Sequence, residues 1–214
     1  MDNFMENTII TIARHYGSGG KTVGEMLAKE LGINCYDREL MRIASDESGI
    51  SEGLFGQADE RLKNSPLVKI SKKIYSGQLL APNSDEYSSD ENLFNYQAKV
   101  MRELAQVESC VIIGRCADFV LKDNTNVVSV FVHADEVFCF ERAKERIGLS
   151  DKEIMKYINK TDKARADYYK HHTGCEWNDA RNYDLCLNSA KLGFEGCVEE
   201  IKSYLEIRKK YKQI

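Results

Sequence analysis

Residues Ile9 to Thr22, reading IITIARHYGSGGKT, constrain this chain more than any other stretch. An apolar run enters a glycine-rich turn that ends Gly20-Lys21-Thr22. Val23, Met26, Leu27 and Leu31 then fall at helical spacing. Strand, glycine loop and helix in that order make a cradle for phosphate. Successive backbone N–H groups turn inward around the anion, and the helix adds its positive N-terminal end. On this reading Gly17, Ser18, Gly19, Gly20, Lys21 and Thr22 hold a nucleotide's phosphates. Lys21 reaches the outer phosphates, and the Thr22 hydroxyl serves Mg²⁺. The full pattern is G-x-x-x-x-G-K-[ST], and its first glycine is His15 here, a residue bulky enough to narrow the loop.

The rest of the chain fits a parallel sheet. Five short apolar runs read as buried strands: Thr8–Ala13, Asn34–Tyr36, Cys110–Ile113, Val127–Val132 and Asp184–Leu187. Helical patterns separate them at Thr22–Leu31, Arg38–Ser48, Leu93–Val107, Asp135–Ile147 and Phe194–Lys210. Strands alternating with helices imply an α/β fold with both sheet faces covered. Ligands of such sheets bind at the carboxyl ends of the strands. Two segments break the alternation. Residues 49–90 are polar and read as an insertion, with a mobile stretch at Pro82–Asp90 and a Ser65-Pro66 break. Residues 150–182 are rich in Lys, Arg and His, open on a capping pair at Ser150 and Glu153, and read as a lid-like segment. The core is then 1–48, 91–149 and 183–214 of a single domain, which suits 214 residues.

Net charge is −4, so bulk electrostatics give no case for nucleic acid or an anionic membrane. No apolar run is long enough to span a bilayer. The acidic start lacks a secretory pattern, and the seven scattered cysteines include no CxxC pair. A cytoplasmic protein with reduced, buried thiols is the expectation. His171, His172, Cys175 and Glu176 match no standard zinc spacing.

Several segments together resemble the cytidylate kinase-like family, within the P-loop nucleoside monophosphate kinases. They are residues 12–21, 27–33, Tyr36-Asp37-Arg38, the Gly114-Arg115 segment within 112–118, 162–169, and 182–189. The resemblance implies a three-layer P-loop kinase fold with a five-stranded parallel sheet, a monophosphate-binding insertion and a helical lid. It implies ATP and Mg²⁺ as cofactors and phosphoryl transfer to a small nucleotide, CMP or dCMP, as the activity. Asp37, Arg38, Arg42, Gly114 and Arg115 would face the acceptor. Lys21, Arg115 and Arg165 would act on the transferred group, with Arg146 and Lys160 as further lid candidates. Thr22 would hold the metal, with Asp37, from a neighbouring strand end, as the substitute for the acid absent at Ile113. Asp162 and Asp167 would orient lid cations or solvate the helix, and Trp177 with Tyr168 and Tyr169 would pack the lid rather than stack a base.

The chain departs from the family pattern at two acids. Ile113 replaces the acid before Gly-Arg, and Cys116 replaces the one after it, with Asp118 nearby. Two alternatives therefore stay open: a nucleotide-binding regulator or pseudokinase, and a kinase for a non-nucleotide metabolite. The partners expected are a small nucleotide and, at most, a second copy of the chain in a homodimer.

Overall fold

A computed structural model describes residues 7–64 and 77–211. Five strands form one parallel sheet: β1 (Ile9–Arg14), β2 (Asn34–Tyr36), β3 (Cys110–Ile113), β4 (Val127–His133) and β5 (Leu185–Asn188), in spatial order β2-β3-β1-β4-β5. β1 is central. Ile9 pairs with Cys110 on one side and Val127 on the other, and Arg14 pairs with Val132 at the carboxyl end. The expected α/β P-loop kinase fold is present.

Side chains alternate across each strand, so two cores form. Ile10, Ile12, Val111, Ile113, Val128 and Val130 pack under helices α1 (Gly20–Leu31) and α8 (Ser189–Tyr211). Ile9, Ala13, Cys110, Ile112 and Phe131 pack on the opposite face. That face is covered by α2 (Glu39–Ser48), α3 (Glu52–Asn64), α4 (Asp90–Val107) and α5 (Ala117–Val120). The chain leaves β1 toward β2 across one face and leaves β3 toward β4 across the other. The crevice between the carboxyl ends of β1 and β3 is therefore the topological switch point, where such sheets bind ligands.

Helix ends explain most differences from the expected boundaries. α1 opens two residues early, at Gly20, because the glycine loop itself supplies its first turn. α4 also starts early, because Ser89 caps it by accepting from the Asn92 amide. Asp135 caps α6 (Glu136–Lys144) in the same way, accepting from the Phe138 amide. α8 begins at Ser189 and bends at Gly193, whose φ is +71°.

The insertion holds more structure than its polarity implied. Leu54 and Phe55 anchor α3, with Phe55 and Ala58 buried and Ile50 beside them, and α3 packs along α7 (Asp151–Thr173). The stretch expected to be mobile is a succession of hydrogen-bonded turns. Ser84, Tyr87 and Ser89 each close one through their amides, and the Tyr87 hydroxyl donates to the Ser48 carbonyl. Ser65-Pro66 lies outside the described residues. All seven cysteines are free; Cys110, Cys116, Cys139 and Cys197 are buried as expected, but Cys186 is exposed. No helix among the described residues is long and apolar enough to cross a membrane.

Candidate active site

The glycine loop leaves β1 and enters α1. Gly17 and Gly19 both have positive φ. The first bond of α1 runs from the Val23 amide to the Gly19 carbonyl, so the Gly20, Lys21 and Thr22 amides have no preceding turn to meet. No acidic side chain lies in that first turn, which leaves the positive helix end available to an anion. Two serines brace the loop from behind. Ser18 Oγ donates to the Val132 carbonyl (3.0 Å), and Ser189 Oγ donates to the Ser18 carbonyl (2.6 Å). His15 does not narrow the loop. Its ring turns away and meets Phe131 and Trp177 edge-on, at 5.1 and 5.5 Å. Burial there lowers its pKa, favouring the neutral ring.

Lys21 and Asp37 join the loop to the next strand end. Lys21 Nζ donates to Asp37 Oδ2 at 2.8 Å. Burial alone would raise the Asp37 pKa, but the Lys21 hydrogen bond and the charge of Arg14 hold the carboxyl below its usual range. Asp37 is thus a firmly ionised carboxylate beside the loop. Among the described residues, no group of three or more His, Cys, Asp or Glu side chains is arranged to hold a metal. Mg²⁺ in a nucleotide site takes one or two protein ligands plus phosphate and water. The donor chemistry of Asp37 and Thr22 fits that ion, and the open α1 amides fit the phosphates of ATP.

Behind this pair lies a cavity of about 330 Å³ at the switch point. Arg14, Arg38, Arg115 and Arg165 line it, with Asp37 and Gly114. Of the residues singled out in the sequence, Asp37, Arg38, Gly114, Arg115 and Arg165 therefore come together. Arg42 does not. It lies on the exposed face of α2, 3.8 Å from Asp46, because its helical position turns it to solvent. Arg146 and Lys160 are also exposed and outside the cavity lining.

Gly114, Arg115 and Cys116 have φ values of +72°, +60° and +54°. Two consecutive non-glycine residues in the left-handed region store backbone strain, a feature that clusters at functional sites. The turn carries Arg115 toward α4 and α2, where Nη1 donates to Gln97 Oε1 (3.4 Å) and Nη2 lies 3.3 Å from Met41 Sδ.

The α7 helix closes the cavity and is fastened to the loop. Asp162 Oδ1 accepts from the Tyr16 amide (2.7 Å) and from Arg165 Nη1 (2.9 Å); Arg165 Nη1 also donates to the Arg14 carbonyl (3.0 Å). Asp162 thus orients a cation, whereas Asp167 pairs with Lys163 on the outer side of the helix. Further along α7, the Tyr169 hydroxyl donates to buried Asp118 Oδ2 (2.6 Å), and His172 stacks on Phe94 at 3.9 Å. Trp177 is buried against Phe131, and Tyr168 lines the cavity.

Arg14 is the residue the sequence reading passed over. The strand expected from the sequence stops one residue short of it, at Ala13, yet Arg14 ends β1, lines the cavity, and its charge acts on Asp37, Arg115 and Arg165. The available signal was a full charge closing an otherwise apolar parallel strand.

Comparison with known proteins agrees with this architecture. No curated protein matches the chain significantly. A crystal structure of an uncharacterized protein from Eubacterium ventriosum ATCC 27560 is similar, with 27% identity and a TM-score of 0.68, over 94% of this chain and 99% of that one. Shikimate kinase from Bacteroides thetaiotaomicron matches with 17% identity and a TM-score of 0.54, over 93% and 98%. Shikimate kinase from Acinetobacter baumannii, in complex with shikimate, matches with 13% identity and a TM-score of 0.50, over 96% and 97%. The two shikimate kinases share the fold. The family model described as the cytidylate kinase-like family matches residues 9–191, and the chain belongs to that family.

Proposed function

We propose that the protein transfers the terminal phosphoryl group of ATP to a small acceptor, a nucleoside monophosphate of the CMP or dCMP type, giving the diphosphate. The observation that carries this reading is the Lys21–Asp37 contact, 2.8 Å long, at the boundary between an open phosphate loop and a cavity lined with arginines. A donor site and an acceptor site would meet there, and phosphoryl transfer needs that in-line placement.

The α1 amides and Lys21 would hold the ATP phosphates. Thr22 and Asp37 would hold Mg²⁺, which when bound neutralises charge on the transferred group. Arg115 and Arg165 would face the acceptor phosphate and the group in transit, where fixed positive charge lowers the barrier. The acceptor phosphate is already ionised, so no strong base is required. The α7 helix would exclude water that otherwise hydrolyses ATP. Asp37 takes the place of the acid missing at Ile113, which is buried against the α1 face of the core.

That buried Ile113 also motivates the rival reading, a nucleotide-binding regulator without turnover. ADP release from Mg-ATP, measured with CMP, dCMP, UMP, AMP and GMP in turn, separates the two. We expect the fastest release with CMP or dCMP. Saturable ATP binding with no release for any monophosphate would favour the regulator, and release with metabolites outside the nucleotides would move the acceptor to another class.

A further inference from the structure

Arg14 is held in an unusual way. Its stem crosses Gly20 at the start of α1: a Cβ on residue 20 would overlap Arg14 Cβ and Cγ. Its guanidinium lies across Gly114 at the end of β3: a Cβ on residue 114 would overlap Arg14 Nη1. Two glycines from two separate motifs thus form the channel that delivers one side chain into the cavity.

The charge delivered there lacks a dedicated partner. Among the described residues the Arg14 guanidinium makes no hydrogen bond, although its backbone carbonyl accepts from Arg165. The carboxylates around it are committed elsewhere. Asp37 accepts from Lys21, Asp162 accepts from Arg165 and from the Tyr16 amide, and Asp118 accepts from Tyr169. Burial and then the charge of Arg165 both work against the Arg14 cation, with Arg115 adding to them, and only Asp37 and Asp162 oppose. A guanidinium is a planar fork of donors matched to an oxyanion. A half-buried one lining a cavity with no anion beside it is costly, and the fold tolerates it where a ligand completes the set.

We propose that Arg14 is the specificity-determining anchor of the acceptor cavity, and that it recognises the dianion of a phosphate monoester and so excludes neutral acceptors such as free nucleosides. The inference rests on the kinase reading above but adds the group by which the acceptor is chosen. It also explains the two glycines: Gly20 and Gly114 are small because Arg14 passes over them.

The test is equilibrium binding of inorganic phosphate, CMP and cytidine to the full-length protein and to Arg14→Met and Arg14→Lys, with Mg-ATP binding measured alongside. In the wild type, phosphate and CMP bind and cytidine does not. Arg14→Met is expected to lose about tenfold to a hundredfold in affinity for both anions, the effect of losing one charge-assisted contact. It is expected to keep Mg-ATP binding and to melt no lower than wild type, because it removes a cation crowded by two others. Arg14→Lys keeps the charge without the fork and falls between. Should Arg14→Met prove unstable, Arg14→Lys decides the matter alone. Undiminished CMP and phosphate binding in the variants overturns the inference, as does cytidine binding as tightly as CMP, or no anion binding by the wild type. Anion binding that depends on Arg14 in a protein that releases no ADP with CMP would keep the anchor and remove the kinase reading instead.

Discussion

The guanidinium of Arg14, at the end of β1, occupies the space that a Cβ on Gly114, at the end of β3, would fill. The two residues are a hundred positions apart, and only the adjacency of β1 and β3 in the sheet brings them together. Because residue 114 also has a φ of +72°, two separable costs attach to any side chain there. One is backbone strain, roughly 1 kcal/mol for an ordinary residue in the left-handed region. The other is displacement of Arg14.

Gly114→Ala should therefore lower stability and weaken binding of CMP or inorganic phosphate together. Gly32→Ala is the matched comparison, since its φ is +66° and nothing lies within 4 Å of the added Cβ. Both variants should melt lower than wild type, Gly114→Ala by at least as much as Gly32→Ala, and Gly114→Ala alone should lose anion binding. Equal anion binding in the two variants would separate Gly114 from Arg14.

Asp162 ties α7 to the glycine loop through one backbone amide and one guanidinium. Asp162→Ala removes both bonds and leaves Arg165 to hold only the Arg14 carbonyl. Hydrogen exchange should speed up at the Tyr16 amide and through Thr161–Arg165 by roughly tenfold or more, the scale of a charge-assisted bond lost from a local opening. Exchange unchanged at Tyr16 would mean that the helix is held down by its apolar contacts alone.

Asp118 makes stability depend on pH. Burial raises its pKa from 3.8 to about 6, and the Tyr169 hydroxyl offsets part of that rise. The folded state thus binds the proton more tightly than the unfolded chain does. The favourable contribution is complete below about pH 4 and is lost as pH climbs through about 6. Asp118→Asn cannot titrate. Unfolding free energies of the two proteins, measured from pH 4 to pH 7, should show wild type losing ground to the variant across that window. A constant difference would mean that Asp118 does not change protonation on folding.

Much of this site was legible because its signals are local. Gly17 to Thr22 announce a loop and a helix start by residue type alone, and the apolar runs that became β1, β3 and β4 are continuous because both faces of a parallel strand are buried. The helix α3 was hidden because its apolar residues are few among charges, and it is stable only where Phe55 meets the rest of the core. Arg14 was hidden for a different reason. Its environment is made by Gly20, Gly114 and Arg165, which lie on three other elements, and no window of sequence contains them together. Arg42 shows the opposite case: Arg38, at the start of α2, lines the cavity, while Arg42 lies on the exposed face of the helix beside Asp46.

Lys21 offers the most direct test of the central claim. Its side chain is 53% exposed and its ion pair with Asp37 lies at the surface side of the site, so Lys21→Ala should cost at most about 1 kcal/mol of stability. Its charge, by contrast, would lie on the phosphates in transit. ADP formation from Mg-ATP with CMP, measured for wild type and Lys21→Ala side by side with melting curves for both, is the decisive measurement. The account predicts acceptor-dependent turnover in the wild type and its loss by a factor of roughly a hundred or more in a variant that still folds. Undiminished turnover in Lys21→Ala would contradict it.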